Sequence, residues 1–400
     1  MNSIAFVTCS LVALISGQSY GVSIAPVYRQ NIHPAVPIRS YIVVLKEGHE
    51  YDSVDRIIDY LNIRKLKALK KFITIFRGFS AVLNEEMLNM IRTFEEVEYI
   101  EEDLFVEKTF VRSWGLDRVD QRDLPLDGVF KPAGDGAEVD VYVVDTGIRY
   151  DHEDFGGRAH FFFDVFGDSA TDNDGDCEGH GTHVSGTIGG TTYGIAKKVT
   201  LWGVRALNCD GQASYSELLA SLEYVAKHGT TPSVINMSLA GDRSISINLA
   251  LASLSHRGFT VVVSAGNDDT DACDKSPASS PEAITVASTD KHDIRSGYSN
   301  YGECVDLFAP GEKIHSDYST SSTSTAVLSG TSMSAPHVSG VAALTLQANA
   351  TMTPKEVKNT IICSATPDHI INTKDSPDLL VYNSAEYEAV TFDATYQSGC

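Results

Sequence analysis

Three short segments of this chain carry an acid, an imidazole and a hydroxyl. Asp145 directly follows the apolar run 141–144, His180 lies in Gly-His-Gly-Thr-His-Val, and Ser332 lies in Ser-Gly-Thr-Ser-Met-Ser-Ala-Pro-His. A histidine can take the proton of a serine hydroxyl, and a carboxylate can orient that histidine and stabilise its charged form. If folding brings the three together, their chemistry is nucleophilic catalysis with Ser332 as the nucleophile.

Each segment also has an ordinary interpretation that the residues alone leave open. Asp-Thr-Gly opens many turns, and Gly-Thr-Ser can simply cap a helix. His180 and His183 could bind a metal ion, although no third ligand is evident, or either could be a hydrogen-bonded core histidine. The small-residue run 338–344 predicts a helix whose first turn contains Ser332 and Pro336, at the positive end of the helix dipole.

The elements that must position these residues are predicted from hydrophobic runs. After Trp114, short apolar runs alternate with stretches of helical periodicity. Continuous apolar strands separated by helices indicate an α/β domain with a mostly parallel sheet that is covered by helices on both faces. Sites in such folds lie at the carboxyl ends of the strands, which is where Asp145 stands. The predicted strands are residues 139–144, 199–204, 234–239, 260–264 and 283–287.

The region before this domain has a different pattern. Residues 41–110 follow the order strand, helix, strand, strand, helix, strand, which is the split βαβ order of a small α+β, ferredoxin-like domain. Its last strand, 97–106, is predicted to lie at the edge of the sheet. The other predicted elements are the strand 41–45, the helices 54–61 and 87–94, and the hairpin 72–83 with Gly78 inside it.

The N-terminus has the pattern of a targeting segment. Residues 4–15 are nearly all apolar but too few to cross a bilayer, so residues 1–19 are predicted to be a secretory signal peptide, with a buried helix as the alternative. Residues 20–40 contain three prolines and are predicted to be a flexible leader. Removing the signal peptide removes Cys9 and leaves six of the seven cysteines, an even number that suits an oxidising compartment.

The charge of the chain excludes some classes of partner. The formal net charge is -22 at pH 7. A surface of that sign repels nucleic acid and anionic lipid, so we expect no nucleic-acid partner and no membrane partner.

Together with the predicted signal peptide, these expectations describe a secreted, extracellular protein, which we expect to be a monomer.

Taken together, the three segments resemble one protein family. Asp-Thr-Gly-Ile, His-Gly-Thr-His-Val and Gly-Thr-Ser-Met-Ser-Ala-Pro-His, in that chain order, are similar to the catalytic segments of subtilisin-like serine proteases, and within that family to proteinase K and aqualysin. The resemblance runs from about residue 41 to about residue 382. It implies a subtilisin-like catalytic domain over residues 111–400, in which Asp145, His180 and Ser332 form the triad of a serine endopeptidase.

The resemblance also implies residues that hold the substrate. Asn267 matches the amide that donates to the tetrahedral oxyanion, together with the backbone N–H of Ser332. Ala240 stands where glycine is usual in this family, and its methyl group is expected to narrow the rim of the specificity pocket. Ser264 stands where alanine is usual, and this change is expected to have no effect on activity. The walls of the primary specificity pocket are Ser238, Leu239, Ala240 and Gly241 on one side and Ser264, Ala265 and Gly266 on the other. The edge that pairs with an extended substrate is Gly211, Gln212, Ala213, Ser214 and Tyr215.

Residues 41–110 resemble the inhibitory propeptide of this family. Such a unit is expected to act as a folding template and as a plug in the active site, because parallel-sheet topologies fold slowly. The resemblance implies that the propeptide is cut near Phe110 and Val111. Since the enzyme must accept its own junction, Phe110 indicates that the pocket tolerates a large apolar side chain. The expected specificity is broad or leans toward apolar side chains.

Disulfide bonds are implied in the same way. Cys177 with Cys209, and Cys273 with Cys304, match two bridges of the aqualysin type. Cys363 and Cys400 remain, and could pair, stay free or link to another chain.

The resemblance further implies structural calcium. Asp306, with the carbonyl oxygens of Pro281 and Ala283, matches the strong calcium site of proteinase K. The acidic loop 172–176 resembles a calcium loop too, but a solvated turn is the favoured interpretation. Asn349 begins a glycosylation sequon.

The expected function is that of a secreted, calcium-stabilised serine endopeptidase that processes itself from a zymogen and then cleaves protein or peptide substrates. Its own propeptide is the expected inhibitor. The alternative is a self-cleaving binding or regulatory protein that retains its propeptide and turns over no substrate, because one self-cleavage needs the same triad.

Overall fold

The structure, a computed structural model, describes residues 24–28, 39–46, 53–63, 68–72, 77–102, 113–167 and 175–383. The chain divides into two compact units, Met1–Thr109 and Phe110–Cys400. The predicted signal peptide, the junction at Phe110 and Val111, and Cys400 lie outside the described residues.

The first unit is a five-stranded sheet with two helices. Its strands are β1 (Val27–Tyr28), β2 (Arg39–Leu45), β3 (Ala68–Phe72), β4 (Gly78–Leu83) and β5 (Val97–Glu102), and its helices are α1 (Ser53–Ile63) and α2 (Glu85–Ile91). From β2 onward the elements follow the predicted split βαβ order. The strand order is β1-β5-β2-β4-β3, so the prediction that the last strand lies at the edge is wrong. β1, inside the predicted leader, pairs in parallel with β5 and covers that edge.

Alternation along the strands builds the core of the first unit. Val43, Phe79 and Ile100 are fully buried, and side chains from both helices, such as Ile57 and Leu88, pack against the same core. Because successive side chains of a strand point to opposite faces, every second residue is enough to form this layer.

The second unit is built on a nine-stranded sheet, with two further pairs of short strands. The strands of the whole unit are β6 (Asp140–Asp145), β7 (Ala159–Asp164), β8 (Thr200–Arg205), β9 (Ser233–Met237), β10 (Gly241–Asp242), β11 (Phe259–Ser264), β12 (Lys275–Ser276), β13 (Ile284–Thr289), β14 (Leu307–Pro310), β15 (Ile314–Asp317), β16 (Thr325–Leu328), β17 (Thr366–Pro367) and β18 (Leu379–Leu380). Its helices are α3 (Trp114–Val119), α4 (His180–Gly189), α5 (Tyr215–His228), α6 (Ile245–His256), α7 (Thr331–Ala348) and α8 (Pro354–Ser364).

The order of the large sheet is β17-β18-β14-β13-β11-β9-β6-β8-β7. Every neighbouring pair from β18 to β7 is parallel, and only β17 runs antiparallel to its neighbour. The predicted α/β class with a mostly parallel sheet is therefore confirmed. Two small antiparallel pairs, β10–β12 and β15–β16, lie beside it.

Helices cover both faces of this sheet, as the continuous apolar runs predict. In β6, Val141 and Val143 belong to the core that contains α4 and α7, whereas Tyr142 and Val144 belong to the core that contains α5 and α6. The four residues 141–144 of β6 are apolar or aromatic and buried, and the strand ends at the buried carboxylate of Asp145.

The helix that carries Ser332 begins at Thr331, after Gly330. Ser332 is its second residue, in the first turn as predicted. Pro336 is the sixth residue and lies in the second turn, so its predicted place in the first turn is wrong. No helix among the described residues is long and apolar enough to cross a bilayer.

Two carboxylates meet in the interior of the second unit. Asp317 is fully buried, and neither of its carboxylate oxygens accepts a hydrogen bond from an N–H or hydroxyl group of the described residues. Burial, and then the charge of the neighbouring Asp154 and a hydrogen bond between the two carboxyl groups, raise the pKa of Asp317 to about 9, against the opposing charge of Arg158. The ring of His152 lies 3.7 Å from the same carboxylate.

We predict that Asp317→Asn stabilises the protein at neutral and alkaline pH. A carboxyl whose pKa is higher in the folded state than in the unfolded state costs stability as pH rises from the unfolded value, about 3.9, toward the folded value. Asparagine needs no proton on folding, so the substitution should gain about 1–3 kcal/mol near pH 8, or roughly 3–8 °C in Tm, and almost nothing near pH 4. Calorimetry across this pH range measures the difference. Asp210→Asn, at an exposed position, is the control, and a gain independent of pH would contradict the prediction.

Candidate active site

Asp145 and His180 meet where β6 ends and α4 begins. The buried Asp145 Oδ1 accepts the Nδ1–H of His180 at 2.7 Å and the backbone N–H of Thr146 at 2.8 Å. The contact requires a glycine after the histidine, because a Cβ on Gly181 would lie 2.0 Å from the carbonyl oxygen of Gly147. The Gly in His-Gly-Thr-His is therefore a steric condition for the ion pair.

A carboxylate that sequence reasoning missed holds the start of α4. Asp176 is buried, and its Oδ2 accepts the backbone N–H and the hydroxyl of Thr182 at 2.8 and 2.6 Å. Its Oδ1 accepts the hydroxyl of Thr146 and the backbone N–H of Gly179, both at 2.8 Å. The predicted solvated turn is wrong for this residue, while residues 172–174 lie outside the described part of the chain. No local start signal identifies it, because the residue directly before α4 is Gly179 and Asp176 lies four positions before the first residue of the helix.

The surroundings of His180 favour its charged form. Its side chain is 24% exposed, and Glu178 Oε2 accepts its backbone N–H at 2.8 Å. Burial disfavours the imidazolium, but the charge and hydrogen bond of Asp145 and the charges of Glu178 and Asp176 outweigh it, and raise the pKa of His180 to about 9. The neutral ring, which can accept a proton, therefore predominates only in alkaline solution.

Ser332 is tied to the segment that follows β9. Pro336, four residues along α7, has no N–H, so it leaves the Ser332 carbonyl without its usual helical partner. The hydroxyl of Ser238 donates to that carbonyl at 2.9 Å, and the hydroxyl of Ser332 donates to the Ser238 carbonyl at 3.1 Å. Within the described structure, the Ser332 hydroxyl makes no hydrogen bond to His180.

Asn267 follows β11 and is exposed. Its Oδ1 accepts the backbone N–H and the hydroxyl of Thr331 at 2.8 and 2.9 Å. An N–H can only donate, so this contact decides which end of the amide faces α7. The Nδ2 group remains available to a ligand.

A cleft of about 460 Å³ contains most of the predicted substrate-binding residues. His180 and Glu178 also line it. The predicted residues that line it are Gly211, Gln212, Ala213, Tyr215, Ser238, Leu239, Ala240 and Gly241. Three apolar side chains that sequence reasoning missed, Leu207, Leu218 and Ile247, line it too.

The other predicted substrate-binding residues, which do not line this cleft, make hydrogen bonds to neighbouring elements of the fold. Ser214 is the N-cap of α5 in a capping box with Glu217. The hydroxyl of Ser264 donates to the Leu239 carbonyl at 3.1 Å, so it joins the two predicted pocket walls, although no effect of this serine is expected from the sequence. The backbone of Ala265 bonds to β13, and the N–H of Gly266 donates to Thr331 Oγ1 at 3.1 Å.

His183 is a core histidine, one of the two interpretations open to it. Its Nε2 bonds to the Ile314 carbonyl at 3.1 Å, and burial together with the nearby His180 lowers its pKa to about 3. The described residues contain no group of three or more His, Cys, Asp or Glu side chains that could hold a metal ion.

The two implied disulfide bonds are confirmed. Cys177 is bonded to Cys209, and Cys273 to Cys304. The first bridge joins the segment before α4 to the loop after β8. Cys363 also belongs to a disulfide, which excludes the free thiol left open above.

The residues matched to a calcium site do come together, but around a lysine. The Lys358 Nζ lies 3.1 Å from the Pro281 carbonyl oxygen, 2.7 Å from that of Ala283 and 2.9 Å from Asp306 Oδ2. With an ammonium in contact with all three oxygens, the residues present do not fit a calcium ion. The implied metal site is therefore corrected to an ion pair.

Comparisons with known proteins identify both units. Residues 136–385 match the subtilase family, and residues 40–109 match the family described as peptidase inhibitor I9. In solved structures, a cold adapted subtilisin-like serine proteinase is similar with 43% identity and a TM-score of 0.65, over 68% of this chain and 98% of that one.

Curated relatives are serine proteases. An extracellular serine proteinase of Thermus sp. is 47% identical over 80% of this chain and 79% of its own length. Alkaline serine exoprotease A of Vibrio alginolyticus is 42% identical over 84% of this chain and 64% of its own, and proteinase R of Parengyodontium album is 40% identical over 76% and 78%.

We predict that Glu178→Gln lowers the pKa of His180 by roughly 0.5–1, because it removes one nearby negative charge while leaving an oxygen for the His180 N–H. NMR titration of the histidine rings measures the change. Glu223→Gln, which removes a charge from an exposed i,i+4 pair on α5, is the control. Equal effects of the two substitutions would contradict a specific role of Glu178.

Proposed function

Because this chain belongs to the subtilase family of serine peptidases, we propose that it is a secreted endopeptidase whose chemistry is carried by Asp145, His180 and Ser332. The observation that supports this most strongly is the 2.7 Å bond between a buried carboxylate and a cleft histidine. Ser238, which is bonded in both directions to Ser332, lines the same cleft.

In the proposed mechanism the hydroxyl of Ser332 first turns from the Ser238 carbonyl to His180. Asp145 keeps the proton on Nδ1, so the Nε2 lone pair can accept the serine proton as the oxygen attacks a peptide carbonyl carbon. The imidazolium then gives that proton to the leaving amine. Water, deprotonated by the same ring, hydrolyses the acyl-enzyme and restores the serine.

The oxyanion of the tetrahedral intermediate is proposed to bind at the start of α7. The backbone N–H of Ser332 is among the first-turn donors that have no acceptor within a helix. Asn267 Nδ2 is the second donor, with its orientation set by Thr331. The positive end of the α7 dipole adds to both.

Substrate selection is proposed to depend mainly on the main chain. An extended peptide would pair with residues 211–215 on one side and residues 238–241 on the other, an arrangement that binds many sequences. Leu207, Leu239 and Ile247 make the cleft largely apolar. This supports broad specificity or a preference for apolar side chains.

The N-terminal unit is proposed to be the inhibitor and folding template of this enzyme. Its support is the match of residues 40–109 to the peptidase inhibitor I9 family. We further propose that residues 1–19 direct secretion, since one relative is named as extracellular. The enzyme is also proposed to cut itself between Phe110 and Val111.

We predict that the full precursor processes itself and hydrolyses casein, whereas the precursor with Ser332→Ala does neither. The reason is that both reactions need the same nucleophile. Mass spectrometry of the products should place the new N-terminus at or near Val111. Equal processing of both precursors would mean that another protease makes the cut, and processing without casein hydrolysis would indicate the self-cleaving binding protein instead.

We also predict that Asn267→Ala lowers kcat about 10²–10³-fold with little change in KM, because the amide acts only in the transition state. Asn267→Asp is the matched variant, since it keeps an oxygen for Thr331 and removes the N–H donor. If the aspartate variant retained full activity, Asn267 would only position α7.

A further inference from the structure

The strongest unexplained feature is the cation enclosed by Pro281, Ala283 and Asp306. The ammonium of Lys358 has three N–H donors and no acceptor, and three oxygens lie within 3.1 Å of it. The lysine side chain is 19% exposed and the aspartate 20%, so the pair is largely shielded from solvent. Each donor of the ammonium is therefore matched by one oxygen.

The position of Lys358 is set by the helix that carries it. Thr353 is the N-cap of α8 and forms a capping box with Glu356, and Pro354 is the first residue of the helix. Val357 and Ile361 are fully buried and belong to the core that contains α7. The lysine thus extends from a fixed helix rather than from a mobile loop.

The oxygens are held from the other side by the sheet. Thr285, in β13, donates its backbone N–H to Asp306 Oδ2 at 2.8 Å and accepts the N–H of Asp306 at 2.9 Å. Asp306 directly precedes β14. The ammonium consequently links α8, the turn before β13 and the start of β14.

A calcium ion would need a different arrangement. Calcium takes six to eight oxygen ligands at about 2.3–2.6 Å, whereas these oxygens surround a nitrogen at hydrogen-bond distances. A divalent ion next to the ammonium would also be repelled. Calcium could bind here only if Lys358 left.

We propose that Lys358 is a built-in cation that replaces calcium at this site, so that these three segments stay joined when divalent ions are absent. The site then contributes the same stability in a chelator as in calcium. This inference concerns the folded structure and does not depend on the proposed triad.

The test compares Lys358→Ala with Lys355→Ala, an exposed lysine of the same helix, each in the full chain with Ser332→Ala to prevent self-digestion. In EDTA, Lys358→Ala should lower Tm by roughly 5–10 °C, because the carboxylate of Asp306 loses its partner, and Lys355→Ala should not. Added calcium should restore most of that loss and bind with one more ion per chain than in the parent. Equal calcium stoichiometry and an equal calcium response in parent and variant would overturn the proposal.

A second measurement avoids dependence on the folding of a variant. In the parent chain, mass spectrometry after brief treatment with acetic anhydride should find Lys358 acetylated much more slowly than Lys355, at the same rate with and without calcium. A faster reaction of Lys358 in calcium would show that the ion displaces the lysine, and would also overturn the proposal.

Discussion

The site depends on the close approach of the first turn of α4 to the end of β6. Asp145 is the last residue of β6, a strand buried on both faces, and it can reach His180 only because Gly181 leaves room for the Gly147 carbonyl. Asp176 then bonds to Thr146 on one side and to Thr182 on the other. The pair is thus fixed by backbone packing and by a buried carboxylate, rather than by the two side chains alone.

Pro336 in α7 also positions the site through the backbone, because it frees a carbonyl oxygen for a contact outside the helix. A proline in the second turn normally costs a helix one hydrogen bond, but here the freed carbonyl of Ser332 receives the hydroxyl of Ser238. The carbonyl that lacks a partner within the helix thus forms a hydrogen bond that joins α7 to the segment after β9. Asn267 adds a second link to the same turn through Thr331.

Sequence reasoning succeeds where the physics is local. The runs that become β6, β8, β9, β11 and β13 are mostly apolar because both faces of the sheet are covered, and their carboxyl ends lie at one edge of the sheet. It fails where partners are distant in sequence. Lys358 lies 75 positions from Ala283, and nothing in the local pattern of α8 distinguishes it from a solvent-exposed lysine. The pairing of β1 with β5 is missed for the same reason, since a two-residue strand has no periodicity. The contacts of Asp176 are missed too, because it lies three positions before the N-cap Gly179, where no capping pattern predicts a bond to the helix.

The bridge between Cys177 and Cys209 has a consequence for the unfolded chain. It adjoins Glu178 on one side and the edge that begins at Gly211 on the other, and its two cysteines are 32 positions apart. A cross-link that closes a loop of this length lowers the entropy of the unfolded chain, which favours the folded chain by roughly 3–4 kcal/mol. The covalent bond therefore stabilises the fold at the mouth of the cleft, next to the residues that carry the chemistry.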